Sequence, residues 1–215
     1  MARRNTYKED KALIYLNNGV GHFKTITRHK LTVMDLCFKV GLIRQGLLHD
    51  LSKYEPVEFL TGIRYYTGVR SPNAIEKAEK GYSTAWLHHK GRNRHHFEYW
   101  FDVNSTGQGE KVMCAKMPLK YVLEMVCDRI AACKVYHGEE YQEKDPYEYY
   151  HMREERIVPT LHPDTAALTE ELLMLLRDRG ERHTMAYMRY LMKHPGIYEG
   201  RDYAAYLAKK RGSVN

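Results

Sequence analysis

The chain has 215 residues, 43% of them hydrophobic and 28% charged, a balance that excludes wholesale disorder and supplies a sizeable core. No apolar run reaches the roughly 18–20 residues that span a bilayer, and no continuous apolar stretch follows the basic start MARRNTYKEDKALIYL, so the expectation is a cytoplasmic protein without a secretory leader or membrane partner. The formal charge of +7 favours anionic partners such as nucleotides, phosphorylated metabolites or nucleic acid.

Taken in order, the segments read as helix after helix. YKEDKALIYLNNG (7–19) carries apolar residues at helical spacing, and Gly19 is a plausible stop. HFKTITRHKLTVMDLCFKV (22–40) repeats that spacing and ends before Gly41; IRQGLLHDLSK (43–53) follows, then PVEFLTGIRYY (56–66) with Pro56 in its first turn. SPNAIEKAEKGYSTAWLHHK (71–90) opens on cap-type residues and is open to interruption at Gly81 and Gly91. DVNSTGQGEKVMC (102–114) carries clustered turn formers and reads as the one sizeable loop. PLKYVLEMVCDRIAACKVY (118–136) is the most periodic segment, with Leu119, Val122, Leu123, Val126, Ile130 and Cys133 on one stripe. YEYYHMREERI after Pro146, PDTAALTEELLMLLRDRG (163–180), RHTMAYMRYLMKH (182–194) and a closing DYAAYLAKKR complete the pattern. No alternating strand and no internal repeat stands out. The expected fold is all-α, one domain over 1–215. Cys37, Cys114, Cys127 and Cys133 fall at scattered spacings, as free thiols in a reducing compartment do. The paired tyrosines Tyr149, Tyr150, Tyr187 and Tyr190 read as core or as a dimer face; the oligomeric state is not legible.

Chemistry concentrates in the histidines. In LLHDLSKYEP (47–56), His49 and Asp50 stand side by side among leucines. A His-Asp dipeptide alone means little, and a single buried histidine is commonly a core residue hydrogen-bonded to its neighbour. Its company is less ordinary: His29 twenty residues upstream, the doublets His88-His89 and His95-His96 downstream, and Asp128 inside the most apolar helix. Burying a carboxylate needs a cation or several donors, and Arg129 points about 100° away from Asp128 on a helix. The plainer reading puts Asp128 on a polar flank. Imidazole nitrogen plus carboxylate oxygen is also what a divalent first-row metal takes, and adjacent positions of one helix can both reach an ion between them.

The pattern His29, His49-Asp50, Asp128 resembles the metal-binding signature of the HD superfamily, the all-helical metal-dependent phosphohydrolases. HDLSKYEP is similar to the HD-x-x-K-x-x-P run of its binuclear HD-GYP branch, and the whole pattern through the histidine doublets resembles small HD-like proteins of bacteria and phages. The resemblance covers residues 22–136; residues 137–215 form a C-terminal helical extension without a recognised motif. It implies that His29, His49, Asp50 and Asp128 hold a first divalent ion (manganese, iron, zinc, nickel or cobalt). Asp50 and Lys53 would be the catalytic pair, Lys53 neutralising a phosphate from the same side of the same helix. Its alternative is an ordinary surface lysine.

WLHHKGRNRHHFEYW (86–100) supplies His88, His89, His95 and His96 for a second ion. Members seven apart share a helical face but lie about 10 Å apart along the axis, so Gly91 is expected to supply a bend. Arg92, Asn93 and Arg94 are candidates for binding an anionic substrate, a nucleotide foremost. The closeness of the doublets and the missing GYP element speak against a cyclic-dinucleotide substrate. Alternatives from other classes stay open: an HD-fold di-iron oxygenase with the same ligand set, or a non-catalytic protein that binds nucleic acid or a partner through this basic, aromatic segment. The basic tail AKKRGSVN (208–215) reads as a solvated end before a nucleic-acid arm.

Overall fold

The computed structural model describes residues 2–105, 111–152 and 161–200. Its elements in order are α1 (Ala2–Val40), α2 (Ile43–Leu48), a 3₁₀ turn (Leu51–Tyr54), α3 (Pro56–Arg64), α4 (Pro72–Lys80) and α5 (Thr84–Arg92). A second 3₁₀ turn (Phe97–Trp100) follows, then β1 (Phe101–Val103), β2 (Val112–Cys114), α6 (Leu119–His137), a third 3₁₀ turn (Gly138–Glu140), α7 (Asp145–His151), α8 (Pro163–Lys193) and α9 (Gly196–Glu199). The fold is all-α, as the periodicity indicates. Among the described residues no helix is long and apolar enough to cross a membrane. The closing segment DYAAYLAKKR, the basic tail and part of YEYYHMREERI lie outside the described residues.

Several boundaries differ from the sequence reading, each for a physical reason. The two helices expected over 7–19 and 22–40 are one continuous α1. Gly19, the expected stop, lies inside the helix against Ile63, and Gly21 packs closely too: a Cβ there would sit 2.5 Å from the Tyr66 ring. The helix expected over 43–53 ends at Leu48, and Asp50 adopts left-handed backbone (φ 53°, ψ 27°) at the N-cap of the 3₁₀ turn. Leu47, Leu48 and Leu51, the leucines around His49 and Asp50, are each about half exposed. Segment 71–90 is two helices, divided where Gly81 takes a left-handed C-cap and Ser83 caps α5 by accepting from the Trp86 N–H at 3.0 Å. The expected loop 102–114 contains an antiparallel pair, β1 against β2, with Phe101 opposite Cys114 and Val103 opposite Val112. These strands are three residues long, too short for a period-2 pattern to show.

The chain divides into two compact units, one of 1–31 and 48–93, the other of 32–47 and 94–215. In the second, the stripe on α6 is buried as expected, with Val122, Leu123, Val126 and Ile130 all at 0% exposure. It joins Val33, Leu36, Cys37 and Val40 from the end of α1 and Leu168, Leu172, Leu173 and Leu176 from α8 in one apolar cluster, each large side chain contributing roughly 1.5–3 kcal/mol. Tyr150 is buried there, whereas Tyr149 and Tyr190 are exposed. α8 bends at Gly180 (φ 81°, ψ 171°), which preserves the expected separation of 163–180 from 182–194. Just beyond the bend, Glu181 accepts hydrogen bonds from Lys39, at 2.9 Å, and from Lys134.

The first unit is built differently. Its buried apolar residues among those described are Ile26, Tyr65 and Ala85. Against them stand buried His22, His29, His49, Asp50, Ser52, Glu58, Glu76, Ser83, His89 and Asn93. α3 packs on α4 and α5, and α1 approaches α3 closely: Asn18 donates to the Ile63 carbonyl at 3.3 Å, and the Thr25 and Tyr66 hydroxyls meet at 3.2 Å. His22 fills the groove over Gly62, and burial, helped by the charge of Lys53, lowers its pKa to about 4. Glu76, 1% exposed, accepts from Ser83 at 2.5 Å, Lys80 at 3.0 Å and Thr84 at 3.1 Å, tying α4 to the start of α5.

Two outcomes follow from this packing. A Cβ on Gly62 would lie 2.0 Å from His22 Nε2, so Gly62→Ala is expected to cost about 1–3 kcal/mol in chemical denaturation, with Gly41→Ala, whose Cβ would meet nothing within 4 Å, as a comparison dominated by backbone strain. Burial pushes the Glu181 carboxyl up, but hydrogen bonds from Lys134 and Lys39 outweigh it and hold the pKa below the ordinary 4.5. A depressed folded-state value contributes stability at pH above the unfolded value that is lost as pH falls through the folded one. Acid titration of unfolding is therefore expected to show a shallower decline below about pH 4.5 for Glu181→Gln than for wild type.

Candidate metal centre

The site in the first unit is organised around the Asp50 carboxylate. α1 carries His29 to it, the turn after α2 presents His49 and Asp50, the 3₁₀ turn places Lys53, and α5 brings His89. Three imidazole Nε2 atoms converge on Asp50: His49 at 3.3 Å and His29 at 3.7 Å from Oδ2, His89 at 3.3 Å from Oδ1. His49 and Asp50 are each 1% exposed. They are not two positions of one helix, as the sequence suggested; the left-handed backbone at Asp50 turns its carboxylate toward the imidazoles. Aspartate tolerates that conformation better than most residues.

Electrostatics matches this arrangement. Burial pushes the Asp50 carboxyl up, but the charges of His49, Lys53 and His89 and the nearby His29 imidazole hold it well below the usual carboxylate range. Lys53 Nζ stands 2.5 Å from Asp50 Oδ2, three residues on, with its side chain 26% exposed. Lys30 donates to the His49 carbonyl at 3.1 Å.

The donor set fits a divalent ion. His29, His49 and Asp50 each bring a ligand atom within 4.8 Å of the others. Donors bound to one first-row ion at about 2.0–2.2 Å stand roughly 3–3.6 Å from one another, close to the observed spacings. Neutral imidazole and carboxylate are the ligands such ions prefer. These buried histidines and Asp50 can hold a metal ion, with Oδ2 facing His29 and His49 and Oδ1 facing His89.

The two members of the first doublet have different places. His89 turns its Nε2 to Asp50; His88 turns its Nε2 to Glu55, at 3.2 Å. Behind both lies Glu58, 6% exposed, with Oε1 2.7 Å from His88 Nδ1 and Oε2 2.8 Å from His89 Nδ1. Asn93, a candidate for substrate contact, is buried, and its amide donates to Ser52 Oγ and the His89 carbonyl, both at 2.9 Å. Arg92 is half exposed, with Nε 3.6 Å from Glu55. α5 runs through Gly91 to Arg92, so the chain turns at Asn93 (φ −113°, ψ 100°), not at Gly91.

In the second unit, His95 and His96 follow that turn, with ring centroids 4.2 Å apart. His95 Nδ1 is 3.2 Å from Glu124 and its Nε2 4.0 Å from Asp128, both on α6. The carbonyl of Arg94 accepts from the Trp100 indole at 2.8 Å, and its guanidinium lies over the Tyr99 ring. Glu58 and Glu124 went unnoticed in the sequence. Glu124 had a readable signal, a carboxylate between Leu123 and Met125 in the most apolar helix, the same anomaly that drew attention to Asp128. Glu58 had none, since a glutamate in the first turn of a helix is commonplace.

The sequence profile of a family of unknown function, DUF5662, matches residues 19–175. The chain belongs to that family. No curated protein and no solved structure matches it. The matched span takes in every candidate ligand of this DUF5662 protein, from His29 to Asp128.

A ligand that binds only the folded chain stabilises it by mass action, about 2.7 kcal/mol at a hundredfold excess over Kd. Adding manganese or zinc to chelator-treated protein is expected to raise Tm by about 5 °C or more. Asp50→Asn, which keeps the shape and tolerates the backbone conformation, should show no such rise.

Proposed function

We propose that this DUF5662 protein is a metal-dependent phosphohydrolase that cleaves a phosphate ester, with a nucleotide as the favoured substrate class. The observation that carries this reading is the convergence of three Nε2 atoms on Asp50 with the Lys53 ammonium beside the same carboxylate. In this reading His29, His49, Asp50 and His89 are metal ligands. The HD-like sequence pattern adds Asp128, His95 and His96 as further ligands. A bound divalent ion supplies Lewis-acid charge that eases deprotonation of water and polarises a phosphoryl oxygen.

The remaining work falls to the chain itself. In hydrolysis a water oxygen bonds to phosphorus, the ester P–O bond breaks, and the proton given up by the water ends on the leaving oxygen. Negative charge grows on the phosphoryl oxygens as this happens. Lys53 is anchored on a short turn yet partly exposed, so its ammonium can swing from Asp50 to an incoming phosphate without leaving the site. With its backbone held at the site, it gives the growing charge a partner close at hand. Arg92, exposed on the last turn of α5, can attract the anion from solvent, in keeping with the net charge of +7.

The test begins with elemental analysis of protein purified without a chelating tag, followed by a screen of nucleoside mono- and diphosphates for phosphate release. About one or two equivalents of a divalent metal are expected, lost in Asp50→Ala and reduced in Asp128→Ala. Lys53→Ala should keep its metal while kcat for the best substrate falls about 10²–10³-fold. Metal-loaded protein that releases no phosphate but consumes dioxygen with a small substrate would replace this reading by the oxygenase one. Absence of metal in wild type after reconstitution would end both.

A further inference from the structure

We propose that Glu58 is a positioning residue: it fixes the His88 and His89 rings with their protons on Nδ1, committing His89 to the metal through Nε2 and keeping His88 off it. The inference rests on the metal-site reading above and deepens it. Consecutive positions on a helix point about 100° apart, so His88 and His89 of α5 leave the helix in different directions. Yet one carboxylate, entering from α3, touches both: Oε1 is 2.7 Å from His88 Nδ1 and Oε2 2.8 Å from His89 Nδ1.

An ionised carboxylate only accepts hydrogen bonds. Each Nδ1 must therefore be the donor. In a neutral ring that leaves Nε2 as the nitrogen with a lone pair. For His89 this atom faces Asp50 Oδ1 at 3.3 Å; for His88 it faces Glu55 Oε2 at 3.2 Å. The tautomer lock thus presents a ligand atom to the metal centre from His89 alone. Asn93 and Ser52 hold the arrangement from behind: Asn93 donates to Ser52 Oγ and to the His89 carbonyl, and the Ser52 hydroxyl lies 3.3 Å from His89 Nδ1. Carboxylates behind metal-binding imidazoles raise ligand basicity, and their loss costs about 10–100-fold in metal affinity.

The experiment uses the full chain, with manganese as the probe, in wild type, Glu58→Gln, His88→Ala and His89→Ala. Manganese affinity is measured by calorimetry, the ring tautomers of the metal-free protein by long-range ¹H–¹⁵N correlation spectra, and folding by circular dichroism. A glutamine matches the shape of Glu58 but can accept from one ring only, turning an N–H toward the other. Glu58→Gln is therefore expected to move one ring from the Nδ1–H to the Nε2–H tautomer and to weaken manganese binding about 10–100-fold with helicity unchanged. His88→Ala should retain wild-type manganese affinity, while His89→Ala loses it. Unchanged tautomers and affinity in Glu58→Gln, or equal losses in His88→Ala and His89→Ala, would overturn the assignment. If wild type binds no manganese, the metal reading fails separately, and metal-free spectra recorded at a pH where both rings are neutral still decide whether Glu58 sets the tautomers: two Nδ1–H rings in wild type and one in Glu58→Gln uphold the lock, and any other pattern of neutral rings rejects it.

Discussion

A carboxylate with 1% exposure is an expensive thing to fold around, and the first unit is arranged about that cost at Asp50. Removing an ionised group from water is tolerated only when opposite charge or good donors replace the solvent. Here three imidazoles and one ammonium do so, and the outcome is a carboxyl held well below its ordinary range despite complete burial. The residues that compensate Asp50 come from α1, the turn before the 3₁₀ segment, that segment itself, and α5. Burying one charge therefore fixes the relative placement of four pieces of chain. The left-handed backbone at Asp50 belongs to the same economy, because it breaks the helix where a continued one would have aimed the carboxylate elsewhere.

The two units have interiors of different kinds. Apolar side chains of α6, α8 and the end of α1 make an ordinary core in the second unit, where each residue buries surface without asking for a partner. Polar groups fill the interior of the first, and each demands a partner: Glu76 takes three donors, Glu58 takes two rings, His22 stays neutral in a groove that only a glycine at position 62 allows. Such an interior gains little net free energy per contact and loses much when one contact is missing. Its compensation is geometric. Side chains whose every alternative is worse are held in one orientation, which a metal centre requires of its ligands.

That contrast also explains what the sequence disclosed. The stripe on α6 was legible because burial of Leu119, Val122, Leu123, Val126, Ile130 and Cys133 is a one-dimensional periodic fact. The break at Gly180 was legible because glycine is cheap at positive φ. The anomaly of His49 and Asp50 among leucines was legible too, although its explanation was not: the leucines face solvent and the polar pair faces inward, the reverse of what hydropathy suggests. Gly19 and Gly91 misled as breaks because a helix accepts a glycine at a cost of about 1 kcal/mol. Glu58 could not be found at all, since its importance lies in contacts with residues 30 and 31 positions away.

The histidine doublet shows how local geometry assigns roles that composition leaves equal. Both members of His88-His89 carry the same side chain, one residue apart, and either could ligate an ion. Their 100° divergence on α5 sends them to different surroundings, and a single carboxylate behind them imposes the same tautomer on both. Identical chemistry at the back and different exposure at the front yield two outcomes: a fully buried Nε2 aimed at Asp50, and a partly exposed one aimed at Glu55. The distinction depends on α3 presenting Glu58 between the rings, and that in turn depends on the close approach of α3 to α5. Selectivity between chemically equivalent ligands is thus a property of helix packing, set two layers of structure behind the atoms that would touch the metal.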